Sequence, residues 1–224
     1  MTKLKTILFD LDGTLLDTEP DFTSILNKLL QHHDRELIQA EHVRETVSNG
    51  ARALIKLGFN IDESQPQFQQ YFNEFLELYQ EKIHQTESRL FDGTESLLNK
   101  VHSENLLWGI VTNKPSHFTL PLIEKFPALH TCAISVCPDH LKQAKPDPEG
   151  ILLACKKLGC SPEQTIYIGD HSRDIEAGRN ANTKTIAASW GYLNAESPIE
   201  QWQADKIIAS PSEVQHYLFN SPLK

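Results

Sequence analysis

The chain has 224 residues, enough for one sizeable domain or for a core domain with a smaller lobe. Hydrophobic residues make up 39% of it and charged residues 23%, which is typical of a globular protein. The formal net charge of −9 argues against a nucleic-acid-binding surface, and no apolar run reaches the roughly 20 residues that a membrane-spanning helix needs. The first apolar stretch is interrupted at Asp10 and is too short for a secretory signal, so we expect a cytoplasmic protein without membrane partners.

The four cysteines fall into two pairs, Cys132 with Cys137 and Cys155 with Cys160. Four residues separate the members of each pair, whereas zinc sites typically have tighter spacing. Cys155 lies within a helical pattern, where cysteine usually acts as a small hydrophobic residue. We therefore expect reduced structural thiols rather than a zinc site.

The N-terminal part of the chain predicts one strand followed by a block of helices. The apolar run Thr6–Phe9 predicts a buried strand that leads into a glycine turn. From about Leu16 to Arg89 the apolar residues follow helical spacing. Within this block, Ser48–Arg52 predicts a turn that opens a short helix, which we expect to end near Gly58.

After residue 93 the pattern alternates between helices and short apolar strands. Pro148 suits the first position of a helix that ends at Gly159, and Ser161–Gln164 has capping-box spacing. Strands are predicted at Trp108–Thr112, Ala133–Val136, Thr165–Ile168, Thr185–Ala188 and Lys206–Ala209. Apolar strands that alternate with helices predict a parallel sheet covered on both faces.

The helical block of about 70 residues is too long for a simple loop within a compact domain. We therefore predict an α/β fold with two parts. Residues 1–16 and 90–224 form a doubly wound, Rossmann-like parallel-sheet core, and residues 17–89 form an inserted all-α cap domain.

Polar residues follow the predicted strands at their carboxyl ends, where parallel α/β sheets bind ligands. They are Asp10 and Asp12 after the first strand, Thr112 and Asn113 at the second, Lys145 after the third, and Asp170 with Asp174 at the fourth. Any one of these aspartates alone would be read as a cap or turn residue. The whole set at successive strand ends instead predicts one functional site.

Four carboxylates at one edge of a sheet repel each other. At about 4 Å and an effective dielectric near 20, each like-charged pair costs about 4 kcal/mol. A hard divalent cation relieves this repulsion, and carboxylate and carbonyl oxygens are ligands that Mg²⁺ prefers. Lys145 supplies a further positive charge. The set therefore predicts a magnesium site that can also accept a small anion such as phosphate.

This set resembles the four motifs of the haloacid dehalogenase-like hydrolase superfamily, and the resemblance covers essentially the whole chain. Asp10–Thr14 resembles the first motif, Thr112–Asn113 the second, Lys145–Pro146 the third, and Gly169–Asp170 with Asp174 the fourth. The helical block directly after the first motif is similar to the cap of the phosphoglycolate phosphatase-like branch. The resemblance implies a Mg²⁺-dependent phosphatase that forms a phosphoryl-aspartate.

The same resemblance implies a role for each matched residue. Asp10 is the nucleophile, and Asp12 is first the acid for the leaving oxygen and then the base that activates water. Thr112 and Lys145 hold the phosphoryl group, together with the backbone N–H groups of Leu11 and Asn113. The implied metal ligands are Asp10, the backbone carbonyl of Asp12, Asp170, and Asp174 directly or through water. Strand alternation supports the pairing of Asp10 with Asp12, because positions two apart point to the same side.

Asp12 helps to distinguish a phosphatase from other proteins of similar fold or site. Dehalogenases and phosphonatases of the superfamily lack the second aspartate of the first motif. A signalling receiver domain also places Asp, Thr and Lys around magnesium. Two features argue against it: Asp12 would speed the loss of the phosphoryl group, and the cap suits the enclosure of a small substrate. A sugar-phosphate mutase of the same fold stays open, because the sequence carries no marker against it.

Three segments outside the motifs bear on the substrate, a small phosphorylated metabolite. Leu107–Pro115, Cys137–His140 and Lys145–Glu149 resemble the family of bacterial N-acetylmuramic acid 6-phosphate phosphatases of peptidoglycan recycling. Ser48–Arg52 is similar to both that family and phosphoglycolate phosphatases.

Within Ser48–Arg52, Asn49 follows the phosphoglycolate pattern. We expect Asn49, Gly50 and Arg52 to contact the substrate. The guanidinium of Arg52 suits the carboxylate that both candidate substrates carry. The assembly is expected to be a monomer or a homodimer.

Overall fold

The structure is a computed structural model that describes residues 3–220. The chain divides into two compact units, one formed by the residues up to Leu16 and from Leu90 onward, the other by Asp17–Arg89. Within the described residues, no helix combines the length and apolar character needed to cross a membrane.

Eight strands and nine α-helices are present in residues 3–220. The strands are β1 (Thr6–Phe9), β2 (Leu16–Asp17), β3 (Arg89–Leu90), β4 (Leu107–Val111), β5 (Ile134–Val136), β6 (Thr165–Gly169), β7 (Lys184–Ala188) and β8 (Lys206–Ile208). The helices are α1 (Glu19–His32), α2 (Ala40–Val47), α3 (Gly50–Phe59), α4 (Phe68–Lys82), α5 (Thr94–Ser103), α6 (Ser116–Ile123), α7 (Glu149–Leu158), α8 (Ser172–Asn180) and α9 (Pro211–Phe219). Strands β2 and β3 pair with each other in a small two-stranded sheet.

The first unit contains a six-stranded parallel sheet in the order β5-β4-β1-β6-β7-β8. From β1 the chain adds β4 and β5 on one side and β6, β7 and β8 on the other, so the order reverses between β1 and β6. The predicted doubly wound α/β fold is confirmed. The reversal creates a crevice at the carboxyl ends of β1 and β6, the place where such sheets bind ligands.

The central strands are apolar because both faces of the sheet are covered. Ile7 and Leu8 of β1 are fully buried, and Phe9 is opposite Ile110 of β4 and Ile168 of β6. With this register the three central strands end within one residue of each other. The residues that follow them therefore leave the sheet at the same edge.

Two details of the first unit differ from the sequence prediction. Strand β1 ends at Phe9, so Asp10 and Asp12 lie in the turn after it, and strand alternation does not relate their side chains. Pro148 is the N-cap of α7 rather than its first residue, although Gly159 ends that helix in the left-handed conformation (φ +68°) as predicted. The four cysteines are free thiols.

The second unit consists of helices α1 to α4. Helix α3 ends near Gly58, as predicted: its last residue is Phe59, and its C-cap Asn60 adopts the left-handed conformation (φ +52°). Gly58 serves packing instead, since a Cβ at this position would lie 2.9 Å from Cδ1 of Leu26 on α1. Asn60, rather than Gly58, supplies the left-handed residue that ends the helix.

Candidate active site

The site is built on the residues that follow the central strands. Asp10 is the first residue after β1, Thr112 the first after β4, and Asp170 the first after β6. The backbone N–H of Asp10 donates to the carbonyl of Ile168 (2.9 Å), which continues the β1–β6 pairing up to the site. The sheet thus gathers these residues at one edge, as the sequence predicted.

Three carboxylates form a compact cluster at this edge. Carboxylate oxygens of Asp10, Asp170 and Asp174 all lie within 4.8 Å of one another. Burial raises the pKa of Asp10 to about 6, with Asp174 contributing in the same direction and Lys145 opposing. Burial, followed by the neighbouring carboxylates, also raises the pKa of Asp170 well above its usual range. A cluster of carboxylate oxygens that are costly to ionise without a partner fits a hard divalent cation.

Asp170 is held by donors to both of its oxygens. The hydroxyl of Thr14 donates to Oδ1 (2.9 Å), and the backbone N–H of Tyr192 donates to Oδ2 (2.9 Å). Gly13 passes over this carboxylate with φ +79°, and a Cβ at this position would overlap the Asp170 side chain. The glycine is therefore needed for both its backbone conformation and its size.

Asp174 lies in the first turn of α8 and is fully buried. Its Oδ2 accepts the backbone N–H of His171 (3.0 Å), and the ring of His171 in turn accepts the N–H of Arg173 (3.2 Å). This capping box fixes the carboxylate, and the helix N-terminus favours its negative charge. Burial lowers the pKa of His171 to about 4, so the ring is neutral and able to accept.

Lys145 connects the cluster. Its Nζ lies 2.9 Å from Oδ1 of Asp10, 2.7 Å from Oδ1 of Asp174 and 2.9 Å from the hydroxyl of Tyr167. Burial by itself would lower the pKa of Lys145, but the two carboxylates outweigh burial and hold that pKa above its usual value. The ammonium is therefore charged at neutral pH and offsets part of the negative charge.

Asn113 holds the backbone of Lys145 through its side chain. The amide nitrogen of Asn113 donates to the carbonyl of Lys145 (3.0 Å), and its amide oxygen accepts the N–H of Lys145 (3.0 Å). Sequence reasoning assigned a role only to the backbone of Asn113. The paired hydrogen bonds show that its side chain joins the loops after β4 and β5 and so fixes where Lys145 begins.

Thr112 is oriented by the residue two positions further on. The buried hydroxyl oxygen of Thr112 accepts the backbone N–H of Lys114 (3.2 Å). A hydroxyl has one proton to donate, and this contact occupies an acceptor position only. The proton of Thr112 stays available for donation to a ligand oxygen.

Two residues of the site were missed at the sequence level. Tyr167 lies within β6, where an aromatic residue suggests core packing, yet its hydroxyl donates to the carbonyl of Val111 (2.8 Å) beside Lys145. Lys114 follows the second motif directly, and its Nζ lies 2.9 Å from Oδ1 and 3.3 Å from Oδ2 of Asp12. The only available signal was the presence of a second lysine next to a predicted strand end.

The predicted roles of two further residues stay predictions. The side chain of Asp12 pairs with Lys114 and is not part of the three-carboxylate cluster, and the expected contact of its backbone carbonyl with a metal stays a prediction. The N–H of Leu11, expected to contact a phosphoryl group, donates to Oδ1 of Asp10 (2.7 Å).

The expected substrate contacts of the second unit surround the start of α3. Asn49 is its N-cap and Gly50 its first residue, with φ +80°. The guanidinium of Arg52 pairs with Glu63 (3.0 Å) and lies 4.5 Å from the ring centre of Phe72. Contact between these residues and a substrate stays a prediction.

Comparison with known proteins identifies the family of this chain. The family model described as haloacid dehalogenase-like hydrolase matches residues 7–188. The N-acetylmuramic acid 6-phosphate phosphatase of Pseudomonas aeruginosa is 42% identical over 95% of this chain and 93% of its own length. The phosphoglycolate phosphatase of Xanthomonas campestris pv. campestris is 35% identical over 94% of each chain.

A solved structure shows the same fold along nearly the whole chain. It is described as a predicted phosphoglycolate phosphatase from Haemophilus somnus, with a TM-score of 0.86, 25% identity and coverage of 97% of this chain and 99% of its own. The chain therefore belongs to the haloacid dehalogenase-like hydrolase family and is one of its phosphatases.

Proposed function

We propose that this phosphatase hydrolyses N-acetylmuramic acid 6-phosphate through a phosphoryl-aspartate formed on Asp10. The observation that carries the chemistry is the position of the Asp10 carboxylate, 2.9 Å from a buried ammonium and at the edge where the sheet order reverses. The choice of substrate is supported by the 42% identity to the Pseudomonas aeruginosa enzyme of that name. Peptidoglycan recycling would be the corresponding process.

The first step transfers the phosphoryl group to the protein. The carboxylate of Asp10 attacks phosphorus in line, and the bond between phosphorus and the ester oxygen breaks. Asp12 gives its proton to the departing oxygen, which leaves as the sugar hydroxyl. The products of this step are the free alcohol and phosphoryl-Asp10.

The second step releases inorganic phosphate. A water oxygen attacks phosphorus while the Asp12 carboxylate takes one of the water protons. The bond between phosphorus and the Asp10 oxygen breaks, which restores the Asp10 carboxylate and the protonated Asp12. Both steps use the same two aspartates, so no other acid or base is needed.

Lys145 and Thr112 hold the phosphoryl group in both steps. The ammonium of Lys145 already contacts Asp10, so it is placed to bind a phosphoryl oxygen next to the nucleophile. The proton of Thr112 can donate to a second oxygen because the N–H of Lys114 occupies an acceptor position of its hydroxyl. The backbone N–H groups of Leu11 and Asn113 are proposed to complete this set.

The residues present fit a magnesium ion. Asp10, Asp170 and Asp174 supply clustered carboxylate oxygens, and the backbone carbonyl of Asp12 is the proposed fourth ligand. With Asp12 included, four carboxylates and two lysines give the site a formal charge of −2, which one divalent cation balances. When bound, Mg²⁺ would neutralise negative charge on the transferred phosphoryl group.

The discrimination between substrates is assigned to the second unit, proposed as a cap domain of residues 17–89. The groups described above act on the phosphoryl group and on the ester oxygen, which all phosphate monoesters share. The Ser48–Arg52 segment offers exposed polar groups, among them a guanidinium suited to a carboxylate. Phosphoglycolate is the second candidate substrate, because relatives of that name are 35% identical.

A phosphate-release assay tests the proposal. N-acetylmuramic acid 6-phosphate, 2-phosphoglycolate and p-nitrophenyl phosphate are compared with Mg²⁺ and with excess chelator. We expect Mg²⁺-dependent release and a kcat/KM for the amino-sugar ester at least about tenfold above that for 2-phosphoglycolate, a difference of about 1.4 kcal/mol. The reverse ratio would identify a phosphoglycolate phosphatase. Full activity in excess chelator would contradict the proposed magnesium site. Formation of an isomerised ester in place of free phosphate would identify a mutase.

A further inference from the structure

Lys114 and Asp12 form an ion pair beside the proposed nucleophile. Nζ of Lys114 contacts both oxygens of the carboxylate, at 2.9 and 3.3 Å. The side chain of Lys114 is 6% exposed and that of Asp12 is 18% exposed, so the pair is largely shielded from water. A cation that contacts both oxygens restrains the rotation of the carboxylate, which a single contact would leave freer.

The backbone of Lys114 is itself held on both sides. Its N–H donates to the hydroxyl of Thr112 (3.2 Å), and its carbonyl accepts the hydroxyl of Thr119 (3.0 Å). Both threonines are buried. Two residues further on, the N–H of Ser116 at the start of α6 donates to the carboxylate of Asp139 (2.6 Å). The backbone of Lys114 is therefore held in place, and its side chain extends from this position to the carboxylate of Asp12.

We propose that Lys114 is a positioning residue for Asp12. It holds the carboxyl group where it can give its proton to the departing ester oxygen and take a proton from the attacking water. The inference rests on the proposed roles of Asp10 and Asp12, and it assigns Lys114 no contact with the phosphoryl group. Lys145, by contrast, contacts the nucleophile directly.

A positioning role predicts an effect that depends on the leaving group, whereas a merely structural role does not. A residue that acts through Asp12 matters in proportion to the need of the leaving oxygen for a proton. A sugar alkoxide needs that proton, whereas p-nitrophenolate leaves readily without it. The quantity to compare is kcat/KM, because it covers the steps up to departure of the leaving group and excludes the later hydrolysis of phosphoryl-Asp10.

The experiment compares Lys114→Met with the wild type on a sugar phosphate and on p-nitrophenyl phosphate. We expect kcat/KM to fall by roughly 10- to 100-fold on the sugar phosphate and by less than about threefold on the aryl ester. In an Asp12→Asn background, Lys114→Met should cause little further loss, because the group it positions no longer transfers a proton. Lys114→Arg should restore part of the activity on the sugar phosphate.

Controls separate this proposal from misfolding and from failure of the proposed function. Lys184→Met breaks an exposed pair with Asp205 (2.7 Å) and should leave both activities unchanged. If Lys114→Met does not fold, Lys114→Gln, which keeps a donor, replaces it. Equal losses on the two esters, additive with Asp12→Asn, would overturn the positioning role while the phosphatase stands. A wild type that releases no phosphate from any ester would overturn the proposed function instead.

Discussion

Nζ of Lys145 lies 2.7 Å from Oδ1 of Asp174, although the lysine follows β5 and the aspartate lies in the first turn of α8. The exposed fractions of the two side chains are 2% and 0%. The hydroxyl of Tyr167 lies beside both, 2.9 Å from the ammonium and 3.3 Å from the carboxylate. The third and fourth motifs are thus joined by a buried ion pair, and Asp10 is held by the same ammonium.

Loss of this ammonium should affect stability as well as activity. We expect Lys145→Met to lower kcat by at least roughly 10²- to 10³-fold, because the charge beside the nucleophile is lost. The carboxylates left without a partner cost about 3–5 kcal/mol when ionised. The loss in unfolding free energy should be smaller at pH 5 than at pH 7.5, since Asp10 has a pKa of about 6 even with the lysine present. Denaturant unfolding at both pH values tests this, and the exposed Lys142→Met is the control. An equal loss at both values would contradict it.

The side chain of Asn113 should matter, whereas sequence reasoning assigned a role only to its backbone. Asn113→Ala removes both hydrogen bonds to Lys145, so that the lysine loses its fixed starting point. We expect kcat to fall by roughly tenfold and stability by about 1–3 kcal/mol. The measurements are steady-state kinetics and thermal unfolding, with Asn99→Ala on an exposed face of α5 as the control. If Asn113→Ala were fully active, the side chain of Asn113 would have no role in the site, and only its backbone N–H could contribute.

Strand positions and motif residues were predictable from the sequence because both are local properties. Apolar runs mark the strands, and in a parallel sheet their carboxyl ends must meet. The contacts of Lys114 and Tyr167 were not predictable, because they depend on residues 102 and 56 positions away. The close packing of Gly58 on α3 against Leu26 on α1 was not predictable either, because it also joins distant parts of the chain.

Replacement of the nucleophile should abolish turnover and leave the fold intact. In Asp10→Asn the amide has nearly the same shape but is neither an anionic nucleophile nor a comparable metal ligand. We expect kcat below about a hundredth of the wild-type value, a loss of more than about 2.7 kcal/mol in transition-state stabilisation. Phosphate release by the purified variant measures this, and a thermal transition near that of the wild type is the control for folding. A kcat above that limit would show that Asp10 is not the nucleophile.

The same variant also tests the electrostatic cost of the cluster in metal-free protein. The pKa of Asp10 is about 6 in the folded state against an ordinary 3.8, so the folded state retains a proton that the unfolded state releases. The contribution of Asp10 to stability is therefore present at low pH and is lost as pH rises from about 4 to 6. Relative to the wild type, Asp10→Asn should become progressively more stable over that range in chelator. Denaturant unfolding measures the difference, and Mg²⁺ should reduce it. A difference that shrinks as pH rises would show that the carboxylate is stabilised rather than strained.

The last prediction concerns Arg52, for which α3 provides a matched control. Arg52 and Lys56 each pair with Glu63 at 3.0 Å, and their side chains are 50% and 45% exposed. Neither exposed pair should add much to stability, so alanine at either position should leave thermal unfolding nearly unchanged. If the planar guanidinium binds the substrate carboxylate, Arg52→Ala should lower kcat/KM roughly tenfold to a hundredfold for the carboxylate-bearing substrate. Lys56→Ala should not, because it also removes one cation that pairs with Glu63 but leaves the guanidinium in place. Hydrolysis of p-nitrophenyl phosphate, which has no carboxylate, should be unaffected in both variants. If the two variants had equal kcat/KM on every substrate, Arg52 would be only a member of a surface ion pair, and other residues would have to select the substrate.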